Sequence, residues 1–561
     1  METSTTDPIL NKNFKYLFKF YFIIIIIVGF TSENEFKCTH PIYCQGNLLK
    51  TIQLSRIFSD SKTFVDMPLL EKPDVILKAF EEIPEKASNE ELKNFISKYF
   101  GTRGTEIVAV EPKDWKMEIK LLKEVKDENL KEWVQFLNIK WKTLARSFNN
   151  ESCGRDCYSS LWVPYPFIVA GGRFREYYYW DSYFIIEGLL LSEMYETSKG
   201  MIKNFFYLID EYGMIPNAGR IYYLNRSQPP LLTLMVYRYY EETNDLDFLK
   251  DSIPYLEKEY SFWNKYRLVY LDEGIRTNLN YYNVDNEDPR PESYFEDILT
   301  ADKYTCEKEK VRVFKNLASA AESGWDFSSR WFKDAFELSS INTENIIPVD
   351  LNSILYKVEI TLSKIFSITN NHLKQHFYKH KAILRYKSMK KYLWNEEQAI
   401  WNDYLIKEKK QNTNLYISNI LPSWAGINNL SKEQVDKLLD TLTPLLKYKG
   451  GTPTSMLSTG EQWDFPNAWS PLEYLLIKSL ENLNYPKAWD FAKIVSKKWI
   501  ENNYCTWKKT GYMFEKYDVN IVGKPGTGGE YLVQHGFGWT NAVVLYLIQN
   551  YGLDLKMIKC L

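Results

Sequence analysis

Apolar residues recur at helical spacing through most of this chain, and this periodicity limits the fold more than any other feature does. Apolar side chains three and four residues apart lie on one face of an α-helix, so the pattern predicts about a dozen amphipathic helices. The alternation that is typical of strands is scarce, and Tyr404–Ile417 is the best candidate for a hairpin. The clearest helical segments are Ile76–Phe80, Leu130–Leu144, Phe184–Tyr195, Leu231–Tyr240, Ile354–Phe366, Val435–Leu446, Leu472–Leu483 and Ala488–Ile500.

The order of these segments predicts an all-α fold. Consecutive helices are joined by loops rich in Gly, Pro, Asn and Trp, and this succession favours an α/α toroid with little β structure. Loops that collect at one end of such a toroid would build a single pocket. A chain of 561 residues ordinarily divides into several domains. A large helical toroid, however, accounts for this length within one domain.

The N-terminal residues have the organisation of a secretory leader. Three lysines precede the apolar run Phe20–Phe30, and the small residues Thr31 and Ser32 follow it. The run is shorter than the roughly 20 residues that a membrane-spanning helix needs. We therefore predict a signal peptide at residues 1–32, with an uncleaved signal anchor as the alternative, and a single catalytic domain at residues 33–561.

The cysteines and sequons agree with secretion. Seven cysteines are typical of a protein that matures in an oxidising compartment. Cys38 and Cys44 are close enough in sequence to form a local bridge, as are Cys153 and Cys157, but the spacing leaves the connectivity open. The odd number leaves at least one cysteine unpaired. Three sequons predict a glycoprotein, and they are at Asn150, Asn225 and Asn429.

The charge distribution excludes one class of partner. The 70 Lys and Arg residues and the 72 Asp and Glu residues are interspersed and give a net charge of −2, so the chain lacks the basic surface of a nucleic-acid-binding protein. The 41 Tyr and 17 Trp residues favour a ligand with faces on which rings can stack. We expect a small-molecule substrate, no nucleic acid, and membrane contact only if the N-terminal segment is retained as an anchor.

Three histidines are the main candidates for a metal site. His372, His376 and His380 are spaced so that they share one face of a predicted helix, where they could chelate zinc. Lysines surround them and no Cys or carboxylate completes a ligand set, so a solvated polar face is the favoured interpretation. The chain also lacks a Gly-rich phosphate loop and a G-x-S-x-G nucleophile elbow. The sequence therefore predicts no metal and no cofactor.

The segment Gly171–Phe184 (GGRFREYYYWDSYF) has the composition of a sugar-binding site. It holds seven aromatic and four charged residues, which suits neither a buried core helix nor a solvated face. Rings can stack on the apolar face of a sugar while charged groups hydrogen-bond its hydroxyls. A helix at a domain interface with structural ion pairs is the alternative. Glu176 and Asp181 are the carboxylates of this segment.

Four further carboxylates lie among rings and glycines instead of in mixed-charge runs. Flanking rings exclude water from a carboxyl group and raise its pKa, so that it keeps a proton near neutral pH. A general acid that protonates a glycosidic oxygen needs such a proton, while a second carboxylate activates water. Each of these residues also fits a helix cap or a structural ion pair. The four are Asp326, Asp464, Glu515 and Glu530.

Several sequence blocks, in collinear order from about Cys38 to Leu547, resemble those of the trehalases, inverting glycoside hydrolases that split α,α-trehalose into two glucose molecules. Two blocks are similar to the signatures of that family, Gly171–Tyr183 and Gln462–Pro471, and Gly526–Asn541 is similar to its Gly-rich block. The shorter blocks that also fit are Phe64–Pro68, Ile215–Asn217, Leu224–Pro230, Arg290–Glu292 and Ser323–Asp326.

The resemblance implies an (α/α)6 barrel with long active-site loops and a two-carboxylate mechanism. Asp326 is expected to be the general acid and Glu515 the general base of an inverting hydrolysis, with Glu530 as the alternative base. Inversion requires the two carboxyl groups to be roughly 6.5–9.5 Å apart. We expect the sequon at Asn225 to stay unglycosylated because a glycan next to Arg226 would block the cleft. The substrate contacts that the resemblance implies are Arg173, Trp180, Asp181, Asn217, Arg226, Gln228, Arg290, Glu292, Gly324 and Glu530.

Five positions depart from the trehalase pattern. Ala170 stands where proline is common, Ala468 and Ala542 stand where glycine is common, Thr527 interrupts the glycine run, and His535 replaces an acidic residue. Ala or Thr would be strained wherever the backbone needs a positive φ. The departures keep two alternatives in view: a related α/α-toroid glucosidase that acts on another α-glucoside, and a catalytically impaired sugar-binding homologue.

Overall fold

The computed structural model describes residues 36–149, 155–271, 275–553 and 560. The leader predicted at residues 1–32 lies outside these residues, as do Asn150 and Cys153, so the domain boundary at residue 33 stays a prediction. Cys38–Leu561 form one compact unit. Within the described ranges, no helix has the length and hydropathy to cross a membrane.

Helices make up most of the described chain. The first six helices are α1 (Asn47–Ser55), α2 (Lys62–Val65), α3 (Pro73–Glu81), α4 (Asn89–Tyr99), α5 (Lys120–Glu124) and α6 (Glu128–Leu144). The later helices are α7 (Tyr179–Leu191), α8 (Tyr195–Tyr212), α9 (Leu232–Thr243), α10 (Leu246–Tyr266), α11 (Tyr294–Ala301), α12 (Glu307–Ser323), α13 (Val349–Ile368), α14 (His372–Tyr392), α15 (Leu421–Ala425), α16 (Lys432–Leu446), α17 (Ser470–Asn482), α18 (Pro486–Thr510) and α19 (Gly538–Leu547).

Six of these helices form a closed ring. Helix α7 packs against α9, α9 against α13, α13 against α15, α15 against α17, α17 against α19, and α19 returns to α7. Helices α6, α8, α10, α14 and α18 pack against members of this ring. The predicted all-α (α/α)6 barrel is therefore confirmed.

Two of the ring helices, α7 and α19, have no solvent-exposed polar face because neighbours surround them. Every residue of α19 is buried, and α7 is buried from Tyr179 to Leu190. A helix without a polar face belongs in the interior of a protein. The two helices also approach closely, since a Cβ at Gly188 would lie 2.6 Å from the Cβ of Ala542. A larger residue at either position would push α7 and α19 apart.

The strands are short, and they pair segments of the chain that lie between the helices. They are β1 (Ile107–Ala109), β2 (Ala145–Phe148), β3 (Phe167–Ile168), β4 (Leu268–Leu271), β5 (Ile275–Asn280), β6 (Ile346–Ile347), β7 (Trp394–Asn395), β8 (Ile400–Trp401), β9 (Tyr404–Leu405), β10 (Lys410–Gln411), β11 (Asn467–Trp469) and β12 (Lys516–Asp518). The predicted hairpin at 404–417 is present but shorter, because β9 pairs with β10 over 404–411 and Ile417 begins a 3-10 turn. Antiparallel β11 and β12 pair Trp469 with Lys516.

Seven of the eight predicted segments lie within an observed helix or extend one residue beyond it, although several of the observed helices are longer. The prediction of one helix over Phe184–Tyr195 is wrong, because α7 ends at Leu191 and α8 begins at Tyr195. The turn between them contains Glu193 with a φ of 57°. Leucines before the turn and Met194 within it continue the apolar spacing across the break, so the pattern does not reveal it.

Two disulfides tie down the ends of the described chain. Cys38 is bonded to Cys44, which the sequence spacing permitted, and Cys505 of α18 is bonded to Cys560. Cys157 is also disulfide-bonded. Cys306 is an exposed free thiol, which agrees with the odd number of cysteines.

Candidate active site

A cavity opens at the end of the barrel where the ring helices begin. Trp180 and Asp181 lie in the first turn of α7, Trp469 caps the start of α17, and Trp539 lies in the first turn of α19. Loops that precede the ring helices complete the wall. All of the predicted site residues line this cavity: Arg173, Trp180, Asp181, Asn217, Arg226, Gln228, Arg290, Glu292, Gly324, Asp326, Glu515 and Glu530.

Asp326 reaches the cavity from a loop that turns at Gly324. Gly324 ends α12 in the left-handed conformation, with a φ of 78°. A Cβ at this position would lie 2.8 Å from Cε2 of Trp180, so only glycine lets the loop pass so close to that ring. The main-chain carbonyl of Asp326 accepts a hydrogen bond of 2.5 Å from Nε2 of Gln462. The loop is thus held between the Trp180 ring, which Gly324 approaches, and the Gln462 amide, which binds the Asp326 carbonyl.

The environment of Asp326 favours its protonated form. Burial raises the pKa of Asp326 to about 7, although the charge of Arg290 opposes this shift, and the charge of Glu530 raises the pKa further. The carboxyl group therefore retains a proton in a range of pH where an exposed aspartate is ionised.

Glu515 lies immediately before β12 and has a different environment. Burial raises its pKa too, but Lys516, the hydroxyl of Tyr531, the amide of Gln534 and the charge of Arg173 all favour the ionised form. The Tyr531 hydroxyl donates to Oε1 of Glu515 at 2.8 Å, and the Gln534 N–H lies 3.5 Å from Oε2. Glu515 thus has hydrogen-bond donors around its carboxylate, as a group that works in the ionised form requires.

Asp181 is a third carboxyl group at the same cavity. Its side chain is 4% exposed, and burial raises its pKa well above the usual range. The charges of Glu515 and Asp326 raise it further, which places the three carboxyl groups within electrostatic reach of one another.

Three arginines of the cavity are held by carboxylates. Arg290 binds Asp297 through Nε and Nη2, with Nη2 2.6 Å from Oδ1, and the same Nη2 lies 3.0 Å from Oε1 of Glu530. Arg226 donates from Nη2 to Glu292. Because these ion pairs fix the guanidinium planes, the remaining N–H groups present a rigid set of donors.

Arg173 is held from outside the barrel. Its guanidinium donates to both carboxylate oxygens of Asp60, at 3.0 Å from Nε and 2.6 Å from Nη2. It also lies 4.6 Å from the centroid of the Tyr531 ring. Asp60 comes from the segment between α1 and α2, so residues that precede the barrel take part in shaping the cavity.

Two predicted sugar ligands are partly engaged by the main chain. Nδ2 of Asn217 donates to the carbonyls of Ser227 and Ala321, at 3.2 Å each. Oε1 of Gln228 accepts the N–H of Trp180 at 2.9 Å. These bonds fix the orientation of both side-chain amides. The other polar atom of each amide therefore has a defined position at the cavity.

Tryptophans provide the apolar part of the cavity wall. The rings of Trp463 and Trp469 are stacked, with centroids 3.8 Å apart and planes 2° apart. Trp180 lies 5.9 Å from Trp463 and, edge to face, 5.9 Å from Trp539. This layer excludes water from the carboxyl groups, which is the physical cause of their raised pKa values.

A sequence profile of the trehalase family matches residues 56–552. The chain belongs to the trehalase family. It is 44% identical over 546 residues to a trehalase of Dictyostelium discoideum, covering 93% of this chain and 92% of that protein. It is 42% identical over 543 residues to a trehalase of Homo sapiens, covering 94% and 93% of the two chains. The neutral trehalase Nth1 of Saccharomyces cerevisiae is a solved structure with a TM-score of 0.56 and 26% identity, covering 69% of this chain and 73% of that one. The protein is therefore a glycoside hydrolase of this family.

The departures from the trehalase pattern do not strain the backbone. Ala170, Ala468, Thr527 and Ala542 all have φ values outside the left-handed region. Ala468 lies within β11 and Ala542 within α19, where alanine is tolerated. The ring of His535 packs at a tilt against Tyr512, with centroids 4.2 Å apart and planes 39° apart, and it does not line the cavity.

Two carboxylates that the sequence singled out have structural roles. Glu176 is fully buried, accepts a hydrogen bond of 2.6 Å from Lys62, and does not line the cavity. Asp464 is fully buried as well, and its oxygens accept hydrogen bonds from three serines and a threonine. These donors are Ser328, Ser329, Ser455 and Thr459.

Sequence reasoning missed Asp60, Lys62, Lys516 and Tyr531 as residues of the site. Tyr531 occurs in a block that resembles the trehalases and Lys516 directly follows the predicted base Glu515, but nothing distinguishes Tyr531 from 40 other tyrosines before the fold is known. Asp60 lies in a segment without helical periodicity, so only its contact with Arg173 reveals its position.

The structure describes two of the three sequons and the three histidines of α14. Nδ2 of Asn225, the atom to which a glycan would be attached, donates to Oδ1 of Asn286 at 2.8 Å, whereas Asn429 is exposed. The three histidines of α14 are exposed. Within the described ranges, no three His, Cys, Asp or Glu side chains are arranged to hold a metal ion.

Proposed function

We propose that this protein hydrolyses α,α-trehalose to two glucose molecules, with inversion at the anomeric carbon that water attacks. The observation that carries the proposal is the presence, in one cavity, of two carboxyl groups with contrasting environments, Asp326 and Glu515. The relatives that bear the name trehalase support trehalose as the substrate. Hydrolysis by this route uses water and two protein groups, and it needs no cofactor.

Asp326 is the proposed general acid. A pKa of about 7 lets it hold a proton near neutral pH and release it to the bridging oxygen as the glycosidic C–O bond breaks. The charge of Glu530 contributes to the raised pKa, and Arg290 holds Glu530 in place. The first glucose then leaves with the transferred proton on its anomeric oxygen.

Glu515 is the proposed general base. It takes a proton from a water molecule whose oxygen attacks the anomeric carbon from the face opposite the leaving group. The water oxygen becomes the anomeric hydroxyl of the second glucose, which is released as the β-anomer, while the first glucose is released as the α-anomer. The hydrogen bond from Tyr531 keeps the Glu515 carboxylate oriented towards the cavity.

Glu530 is less suited to the role of base. Its Oε1 lies 3.0 Å from Nη2 of Arg290, and its Oε2 accepts a hydrogen bond of 3.2 Å from the hydroxyl of Ser293. Oε1 is therefore committed to an ion pair, whereas the hydrogen bonds to Glu515 come from a neutral hydroxyl and a main-chain amide. Arg290 is itself bound to Asp297, so the position of Glu530 is part of a fixed ion-pair network.

The arginines are the proposed recognition groups for the sugar hydroxyls. Arg226 uses Nη2 for Glu292, while its buried Nε and Nη1 have no partner among the residues that the structure describes. A buried donor without a partner is costly, and a sugar hydroxyl in the cavity would satisfy it. The other proposed substrate contacts are Arg173, Trp180, Asp181, Asn217, Gln228, Arg290, Glu292, Gly324 and Glu530.

The test is hydrolysis of trehalose by the purified protein, followed by NMR from the first turnover. We expect equal amounts of α- and β-glucose at early times, and losses of at least about 10²–10⁴-fold for Asp326→Asn and for Glu515→Gln. Asp251→Asn, at an exposed helical position, is the matched control and should keep full activity. Two α-glucose molecules at early times would contradict the inverting mechanism. Faster cleavage of another α-glucoside in a substrate panel would contradict trehalose as the substrate.

We also propose that residues 1–32 are a cleaved leader and that the protein is secreted as a glycoprotein. The disulfides Cys38–Cys44 and Cys505–Cys560 support an oxidising compartment. Secretion of the full chain from eukaryotic cells and N-terminal sequencing of the product test this proposal. A product that begins at Met1 and sediments with membranes would show a retained anchor instead.

A further inference from the structure

Lys516 is a buried lysine beside the proposed base, and the mechanism above does not use it. Its side chain is fully buried and lies on β12 opposite Trp469. Nζ donates to Oε1 of Gln462 at 2.7 Å and to the carbonyl of Gly528 at 3.1 Å. Among the described residues, no carboxylate lies within ion-pair distance of this Nζ. A cation placed in the interior without a direct ion pair needs a reason, because its desolvation is costly.

Lys516 determines the orientation of the Gln462 amide. An ammonium group can only donate hydrogen bonds, so the amide oxygen must face it and the amide nitrogen must point away. Nε2 of Gln462 then donates to the main-chain carbonyl of Asp326 at 2.5 Å. The neighbouring N–H of Trp463 donates to the carbonyl of Phe327 at 3.0 Å. Both carbonyls of the loop that bears the proposed acid are therefore held by the segment that Lys516 orients.

Lys516 also contributes charge at the proposed base. Burial raises the pKa of Glu515, and the charge of Lys516 is the largest effect that opposes this rise. The other groups that face Glu515 are Tyr531 and Arg173, which favour ionisation, and Asp181, which disfavours it. The charge of Lys516 acts in addition on Asp326 and Glu461.

We propose that Lys516 is a positioning residue for both proposed catalytic groups: through Gln462 it holds the main chain at Asp326, and through its charge it keeps Glu515 ionised. The inference rests on the proposed function, since it assigns Lys516 a role in that reaction. One side chain would thereby link the acid, the base and, through Gly528, the Gly-rich segment 526–529. Such a link explains why a lysine is retained at a fully buried position next to the cavity.

The pH dependence of kcat/KM tests the effect of the Lys516 charge on Glu515, and kcat tests the hydrogen-bonded link through Gln462 to Asp326. Lys516→Met removes the charge, so we expect the acid limb of the profile to move up by about one pH unit. Lys516→Arg keeps the charge but not the fit to Gln462, so the limb should stay in place while kcat falls. Gln462→Leu removes the bridge to Asp326 and leaves the charge of Lys516 in place, so kcat should fall about 10- to 100-fold with the limb unchanged. An unchanged limb in Lys516→Met, or an unchanged kcat in Gln462→Leu, would overturn the proposal.

Lys357→Met is the control for loss of a half-buried lysine outside the proposed active site. Lys357 lies on α13 at a separate cavity, and its Nζ donates to the carbonyl of Trp424 at 2.9 Å. This variant should keep both the limb and kcat. Lys516→Gln serves as a second neutral variant if Lys516→Met does not fold, with folding checked by circular dichroism and thermal melting. The wild-type protein distinguishes failure of this inference from failure of the proposed function. If the wild-type protein cleaves trehalose but the acid limb does not move in the variants, only the role of Lys516 is refuted. If the wild-type protein does not cleave trehalose, the proposed function itself is refuted.

Discussion

The phenolic hydroxyl of Tyr531 donates a hydrogen bond of 2.8 Å to Oε1 of Glu515, and this bond joins the Gly-rich segment to the proposed base. The guanidinium of Arg173 lies over the Tyr531 ring, and the carboxylate of Asp60 holds that guanidinium. Contacts therefore run from Asp60, which precedes the barrel, through Arg173 and Tyr531 to Glu515. The geometry of the base depends on three parts of the chain that are far apart in sequence.

Replacing Tyr531 by Phe removes the hydrogen bond and keeps the ring under Arg173. A hydrogen bond to the ionised form of a carboxyl group lowers its pKa, so its loss raises the pKa of Glu515. We expect the acid limb of kcat/KM to move to higher pH by up to about one unit and kcat to fall about 10-fold. A pH–rate profile on trehalose measures both. An unchanged acid limb would show that Tyr531 only packs against Arg173.

Replacing Asp60 by Asn tests the anchor of Arg173. The variant keeps the shape of the side chain but loses its charge and one of its two acceptor oxygens, so the guanidinium becomes free to move. We expect kcat/KM for trehalose to fall about 10- to 100-fold, the range that corresponds to one hydrogen bond between charged groups. Steady-state kinetics check this, with Asp251→Asn as the control for an exposed aspartate. Equal kinetics in the two variants would remove Asp60 from the site.

The basic limb of the pH profile should report Asp326. The acid must be protonated to act, and its pKa is about 7, so kcat/KM should decline as the pH rises through this value. Glu530→Gln removes a negative charge that raises the pKa of Asp326, so the basic limb should move to lower pH. The position of the limb is the measurement, because Glu530 is also a proposed substrate contact and its loss lowers the overall rate. A limb that moves upward would contradict the sign of this interaction.

The fold could be predicted from sequence because its signal is local. Apolar spacing marks each helix, and the ring helices α7 and α19 are apolar all round because the barrel surrounds them. The break between α7 and α8 was missed because apolar residues continue across it. Nothing in the spacing shows that Cys505 reaches Cys560, since that bridge depends on how α18 lies against the C-terminal residues.

The sequence predicts many of the residues that line the site, but it does not predict which other residues hold them in position. The resemblance to the trehalases located twelve of the residues that line the cavity. The residues that position them are different. Asp60 and Lys516 act through contacts between distant segments, and a sequence pattern along the chain carries no information on such pairs. The carboxylates Glu176 and Asp464 have the same local composition as the site residues, and only their position away from the cavity distinguishes them.

Gly324→Ala tests the close approach of the loop to Trp180. An alanine would adopt a left-handed φ of 78° and would place its Cβ 2.8 Å from Cε2 of Trp180. Backbone strain of about 1–2 kcal/mol adds to about 1–3 kcal/mol of overpacking, and the displaced ring should raise KM. Gly511→Ala is the matched control, because Gly511 ends α18 with a φ of 77° and no atom lies within 4 Å of its Cβ position. Denaturant unfolding should show a larger loss for Gly324→Ala, and equal losses would indicate strain alone.

The buried carboxyl group of Glu473, which lies outside the active site, should make the stability of the protein depend on pH. Its side chain is fully buried in α17, and burial raises its pKa to about 8 from an ordinary value of 4.5, although the N–H of Thr452 donates to it. Between these two values the folded protein binds a proton that the unfolded chain has released, so this group's contribution to stability is lost as the pH rises through about 8. Glutamine has nearly the same shape and is neutral at every pH. Glu473→Gln should therefore match the wild-type protein at pH near 4.5 and exceed its free energy of unfolding by roughly 2–5 kcal/mol near pH 8.

Urea unfolding of both proteins across this pH range measures the difference. Glu397→Gln, at an exposed position, is the control and should follow the wild-type curve at every pH, because an exposed carboxylate does not couple to folding. A Glu473→Gln variant that is less stable than the wild-type protein by the same amount at every pH would mean that the carboxyl group is ionised in the folded state. The hydrogen bond from Thr452 would then be the dominant interaction at this position, and the expected loss on substitution would not change with pH.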